Sequence, residues 1–153
     1  MTQYEFLDLI CDSVNPIAFF VAVSVAFVEL KAKQYWCALR AFGFLCGGLA
    51  LVYALLFADA KIKLWGFFGG DYSTHTAFAL ATGMAISAVR RWDKWLLLVF
   101  VLYVIAMRYQ QYHTIFDIFS TAVVVGAPLL LAVRHVRKQC VKASLRSRQL
   151  ELS

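Results

Sequence analysis

Five stretches of mostly apolar residues, at about 15–30, 41–58, 73–89, 95–111 and 114–133, run almost end to end along the chain. Each is close to the roughly 17–25 residues a helix needs to cross the hydrocarbon core of a bilayer. Within hydrocarbon only helices and closed barrels satisfy their own backbone polar groups, so apolar runs of this length predict helices. Composition agrees: 62% of the 153 residues are hydrophobic and 16% are charged, with a mean hydropathy of +0.71. A soluble domain carries roughly 45–50% apolar and 25% charged residues. The expected fold is all-α, a polytopic membrane helix bundle of about five transmembrane helices. Only short polar breaks separate the runs, so residues 1–153 read as a single membrane domain.

The segment 4–14 sets Tyr4, Phe6, Leu7, Leu9 and Ile10 against Glu5, Asp8 and Asp12, the pattern of an N-terminal amphipathic helix lying at the interface. A secretory signal would open with basic residues and end at a small-residue cleavage site. Here acidic residues precede the first run, so the run is read as a span. Pro16 is expected near a helix start and Pro128 within a membrane helix. Gly47 and Gly48 in the second span are expected to let helices approach closely. Cys11, Cys37, Cys46 and Cys140 show no CxxC spacing, so they read as small packing residues rather than a zinc site or a disulfide framework.

The net charge of +6 does not point to nucleic acid, because the basic residues sit in clusters at the ends of apolar runs. They read as topology signals, since lysine and arginine favour cytoplasmic loops. With the N-terminus outside, Lys31, Lys33, Arg40, Arg90, Arg91, Lys94, Arg134, Arg137, Lys138, Lys142, Arg146 and Arg148 all fall inside, twelve of the fifteen basic residues. The expected setting is a multi-pass protein of the cell (inner or plasma) membrane, with a basic cytoplasmic tail over 134–153. Lys61, Lys63 and Arg108 defy this bias and lie on the outer side beside His75 and His113. An anionic ligand explains cations held there.

Two constellations carry candidate chemistry. Ser73-Thr74-His75-Thr76 opens the third span, where Ser73 is a natural N-cap and the free amides of the first turn favour an anion. Between the fourth and fifth spans, Arg108-Tyr-Gln-Gln-Tyr-His113-Thr-Ile-Phe-Asp117 places a histidine and a carboxylate four residues apart. On a helix these would share a face, and Asp117 could hold one imidazole nitrogen so that the other acts as nucleophile or base. An ionisable residue within an apolar helix is by default a functional candidate.

These motifs resemble those of the type 2 phosphatidic acid phosphatase superfamily, membrane lipid phosphatases and phosphotransferases. Ser73-Thr74-His75-Thr76 is similar to its Pro-Ser-Gly-His motif. Arg108, His113 and Asp117 are similar to its Ser-Arg, downstream His and following Asp. The resemblance covers roughly residues 55–130. It departs in three places: no Arg-Pro follows Lys61 or Lys63 before Ser73; Tyr72 and Thr74 replace Pro and Gly; and Met107 replaces Ser, with one residue fewer between Arg and His. Gly69-Gly70-Asp71-Tyr72-Ser73-Thr74-His75-Thr76 with Tyr112-His113-Thr114 is also similar to the sphingomyelin synthase branch.

The resemblance implies a hydrolase acting on a phosphomonoester or pyrophosphate lipid through a phosphohistidine intermediate at the outer membrane face. In it His113 attacks phosphorus, Asp117 orients His113, and His75 protonates the leaving oxygen. Lys61, Lys63, Ser73, Thr74 and Arg108 would bind the phosphoryl group. Neither a cofactor nor a metal is expected, and the partners are a lipid phosphate substrate and membrane lipids. Transfer of a phospho-head-group to another lipid is the second reading. A non-catalytic relative is the third, and a haem held between the two histidines the fourth.

Overall fold

The structure, a computed structural model, describes residues 3–151, with side chains described over 9–142. The described residues form five α-helices and one 3-10 turn: α1 (Gln3–Lys31), α2 (Tyr35–Ile62), the turn Gly66–Phe68, α3 (Thr74–Val89), α4 (Asp93–Tyr109) and α5 (Ile115–Glu151). They include no strand, in agreement with the all-α expectation. Three segments are long and apolar enough to cross a membrane: Leu9–Lys31 of α1, Tyr35–Ile62 and Ile115–Lys142 of α5. With 16 and 17 residues, α3 and α4 rise only about 24–26 Å, less than the ~30 Å of a hydrocarbon core.

The N-terminal segment is not a separate interfacial helix. Its backbone is the beginning of α1, and Pro16 lies inside that helix rather than near its start. The helix runs on through Pro16, although that residue has no N–H to donate to the Asp12 carbonyl; just before it the Ser13 hydroxyl donates back to the Leu9 carbonyl at 2.6 Å. At the other terminus the helix predicted to stop at 133 continues to Glu151. There the apolar run gives way to Arg, Lys, Gln, Ala and Leu, all strong helix formers.

Three helices stop without glycine. Lys33, Lys63 and Gln111 adopt φ of 60°, 49° and 58°, the left-handed conformation that closes a helix C-terminus. After α1, Lys33 N–H donates to Leu30 at 3.0 Å and Gln34 N–H to Glu29 at 2.9 Å; after α4, Gln111 and Tyr112 donate to Arg108 and Met107, both at 3.2 Å. These are the paired bonds of a Schellman motif. At the end of α2 a single bond, Lys63 N–H to the Asp59 carbonyl at 2.7 Å, does the same.

The central helix is α3, which packs against all four others. Its Ala77, Ala81, Ala85 and Ala88 are buried, and small side chains at this spacing let neighbouring backbones come close. A Cβ added at Gly48 on α2 would stand 3.3 Å from that of Ala81, whereas one at Gly47 would meet nothing within 4 Å. Close approach therefore belongs to Gly48 alone. Large apolar side chains such as Phe20, Phe57, Leu97 and Leu131 stay on the outside, the arrangement a lipid surround favours.

The helices alternate in direction, so the chain has two distinct ends. At the basic end Arg90 pairs with Glu29 at 2.9 Å. The Arg137 guanidinium donates to the Ser87 carbonyl at 2.8 Å and to the Asp93 carboxylate. There too Cys37 and Cys140 form a disulfide across 103 residues, with Cα atoms 5.0 Å apart. This corrects the reading of the cysteines as packing residues for that pair. Sequence spacing gave no sign of it, because the start of α2 and the far part of α5 become neighbours only through the fold. Cys11 is buried as expected, but Cys46 is exposed.

Candidate active site

At the opposite end the connections α2–α3 and α4–α5 meet above the N-terminus of α3. The first is anchored at several points. Trp65 is buried, its backbone N–H donates to Asp59 Oδ1 at 2.8 Å and its indole Nε1 donates to Ser120 Oγ at 2.9 Å. Tyr72 packs edge-on against Trp65 with ring centroids 4.8 Å apart, and its hydroxyl donates to the Val52 carbonyl at 3.0 Å. Burial, reinforced by the negative charge of Asp59, pushes the Tyr72 phenol well above its ordinary range, so it stays a neutral donor. Tyr72 is thus a structural anchor of this loop.

The loop then turns into α3 through Ser73. Its hydroxyl accepts from Thr76 N–H at 3.4 Å and lies 2.8 Å from Thr76 Oγ1, while its own N–H donates to Thr121 Oγ1 at 3.1 Å. Ser73, Thr76 and Thr121 are all fully buried. The Ser73 side chain is therefore an N-cap sealed inside the bundle, and only Thr74 and His75, both half-buried, reach the surface of this turn.

His75 and His113 come together across the two connections. Their ring centroids are 6.4 Å apart and the planes cross at 83°. Tyr112 also packs edge-on to His75, at 5.7 Å, so the imidazole of α3 is held between two rings of the α4–α5 connection. His113 is half-buried and precedes α5.

Asp117 is only 3% exposed, and its hydrogen bonds go elsewhere than the expected imidazole. Oδ1 accepts from Asp71 N–H at 2.7 Å; Oδ2 accepts from Thr114 N–H at 2.8 Å and Thr114 Oγ1 at 2.7 Å. In return Asp117 N–H donates to Thr114 Oγ1 at 3.2 Å. This reciprocal pair is a capping box, with Thr114 as the N-cap of α5. His113 thus lies outside the helix and shares no helical face with Asp117, contrary to the expectation from their spacing. The carboxylate sews the two connections together and acts on His113 through its charge. A Cβ on Gly70 would fall 2.7 Å from Asp117 Oδ1, so the α2–α3 loop approaches this carboxylate as closely as a glycine allows.

A polar cleft of about 430 Å³ opens here, lined by Asp71, Arg108, Gln111, Tyr112, His113, Thr114 and Asp117; His75 packs beside His113 but does not line it. Arg108, exposed in the last turn of α4, is the cation of this cleft. Lys61 and Lys63 are exposed at the end of α2 and do not line it; Lys63 is the residue that closes that helix. Asp71, Tyr112 and Thr114 are site residues that sequence reasoning missed. All three stand in the stretches similar to the sphingomyelin synthase branch, and Thr114 carries a further signal, the Thr-Ile-Phe-Asp spacing of a capping box. Among the described residues no group of three or more His, Cys, Asp or Glu side chains could hold a metal ion. No protein-family model, curated protein or solved structure matches this chain.

Proposed function

We propose that the protein is an integral membrane lipid phosphatase of the type 2 phosphatidic acid phosphatase kind, working on a phosphomonoester or pyrophosphate lipid through phosphohistidine. One observation carries the reading: two imidazoles 6.4 Å apart by ring centroid, delivered to one end of the bundle by the first turn of α3 and by the α4–α5 connection, with Arg108 lining a cleft beside His113. A phosphorus about 3–3.5 Å from one nitrogen, with its leaving oxygen in hydrogen-bond reach of the other, needs the nitrogens on the order of 6–7 Å apart.

In this reading a His113 nitrogen attacks phosphorus and forms the P–N bond as the P–O bond to the lipid breaks. The departing oxygen keeps the bonding electrons and takes a proton from the His75 imidazolium. Neutral His75 then accepts a proton from water as that water attacks phosphorus, the P–N bond breaks, and phosphate leaves. Arg108 steadies charge on the non-bridging oxygens. Asp117 favours the positive charge that His113 gains on attack and fixes the connection that carries it. Lys61 and Lys63 act at longer range, drawing anions towards this end.

The helices cross the membrane five times, with the N-terminus and site outside and the basic end cytoplasmic. Supporting this is the gathering of the basic clusters at one end. The short α3 is enclosed by other helices, so its length need not match the lipid.

The test is phosphate release from phosphatidic acid, phosphatidylglycerol phosphate, polyprenyl pyrophosphate and lipid A phosphates. His113→Ala is expected to abolish release, and His75→Ala to lower it most for poor leaving groups. Equal, mild losses from both contradict the assigned roles. Appearance of the labelled head group on an acceptor lipid instead of as free phosphate converts the reading to transferase.

A further inference from the structure

The helices that flank the candidate site, α4 and α5, have few close backbone approaches and each packs on α3; they meet through the buried Tyr103, Met107 and Ile118 and through Arg137 and Asp93. The space they leave is a groove of about 480 Å³ lined by Phe100, Val104, Ile105, Ile118, Phe119 and Ala122, among other apolar side chains. Its one charged residue is Arg108, which also lines the polar cleft containing His113 and Asp117. Arg108 is therefore shared by the groove and the cleft. Ile105 and Phe119 on the rim are more than half exposed, so the groove opens sideways out of the bundle.

Resting on the lipid-phosphate reading above, we infer that this groove seats the hydrocarbon chain of the lipid phosphate while Arg108 holds its anionic head at the cleft. From Arg108 to Phe100 the wall of α4 extends about 12 Å, most of the ~15 Å depth of one bilayer leaflet. Along that length the lining is apolar side chains up to Arg108, which suits a flexible alkyl or prenyl chain. An extended chain advances about 1.2 Å per bond, so the groove takes on the order of ten carbons. Charge supplies the rest of the selection: an amphiphile with an anionic head satisfies Arg108, and a neutral one leaves it unmatched.

The experiment uses the full-length protein in phosphatidylcholine nanodiscs and dodecyl phosphate carrying a photoactivatable diazirine, either near the head or near the tenth carbon. The near-head probe is expected to label around Ile105 and Ile115, and the deep probe around Phe100 and Ala122. Ala122→Trp, which fills the groove, is expected to lower deep labelling at least tenfold; Val104→Phe serves if that variant does not fold. Arg108→Ala is expected to lower labelling by the phosphate about fivefold and leave the weak labelling by dodecanol with the same diazirine unchanged. Label spread evenly over Phe20, Phe57 and other outward side chains overturns the inference. So does equal groove labelling by the alcohol and the phosphate. Because labelling reads binding without turnover, groove labelling with no phosphate released from any lipid overturns the hydrolase reading and leaves the groove assignment standing.

Discussion

Replacing Asp117 by Asn tests whether this carboxylate holds the site together. The two side chains have the same shape, but the carboxylate accepts three hydrogen bonds, from Asp71 N–H, Thr114 N–H and Thr114 Oγ1. An amide has one acceptor oxygen and one donor group. With the oxygen facing Asp71, the NH₂ can donate to the Thr114 hydroxyl once that rotates, but Thr114 N–H then points at a donor. With the amide reversed, Asp71 N–H is the orphan. One N–H bond is lost in either orientation, in a site where Asp117 is 3% exposed. The cost is about 1–3 kcal/mol for a buried unsatisfied group. Local opening sets amide exchange in such a loop, so hydrogen–deuterium exchange at Asp71 and Thr114 should accelerate about 5- to 150-fold, with phosphate release falling alongside. Exchange at the middle of α2 should not change. Unaltered protection at both amides, with activity nonetheless lost, would refute the argument and return Asp117 to a role on the imidazole alone.

Gly70→Ala should lower the thermal midpoint by the equivalent of about 1–3 kcal/mol, because the new methyl would meet a pinned carboxylate at 2.7 Å. Gly43→Ala, whose methyl meets nothing within 4 Å, should instead stabilise α2 by roughly 0.5–1 kcal/mol; equal midpoints for the two would discredit the clash. At the basic end the Arg137 hydrogen bond, followed by that from Ser87, holds the Asp93 carboxyl below its ordinary range despite some desolvation. A carboxyl whose folded pKa lies below its unfolded value of about 3.9 adds stability above that value and loses it as pH falls through the folded one. Asp93 is half exposed, with 49% of its side chain accessible, so the contribution is small. Between about pH 5 and pH 3 the wild-type midpoint should fall more steeply than that of Arg137→Ala, and parallel curves would count against the coupling.

Much of the architecture is written in the apolar runs, because a bilayer-length helix needs little beyond hydrophobicity to declare itself. Five runs correspond to five helices. The ends were less readable, and for a specific reason: α1, α2 and α4 terminate on Lys33, Lys63 and Gln111 in left-handed conformation, and none of these is the glycine that marks such a stop. Asp8, Asp12 and Pro16 looked like a break, but their backbone simply continues as helix. At the site, His75 and His113 lie side by side at one end of the molecule, and Arg108 lines a cleft with His113. The spacing of His113 and Asp117 misled, because it presumes a helix through both and Thr114 starts α5 between them. Thr-x-x-Asp states that start, but a capping box and a catalytic pair occupy overlapping residues, and only coordinates separate them. Lys61 and Lys63 join the site by charge, by the membrane side expected of them and by their place near the first motif of the resemblance, and none of these says which side chains line a cleft.

The bond between Cys37 and Cys140 closes the polypeptide into a ring that contains both histidine connections. A protease acting on either connection opens that ring without liberating a piece of it: the nicked chain migrates as one species on a gel until a thiol reagent divides it. Nicked protein can therefore keep His75 and His113 opposite each other after either connection is severed. For this molecule, intact size on a non-reducing gel is no measure of an intact backbone.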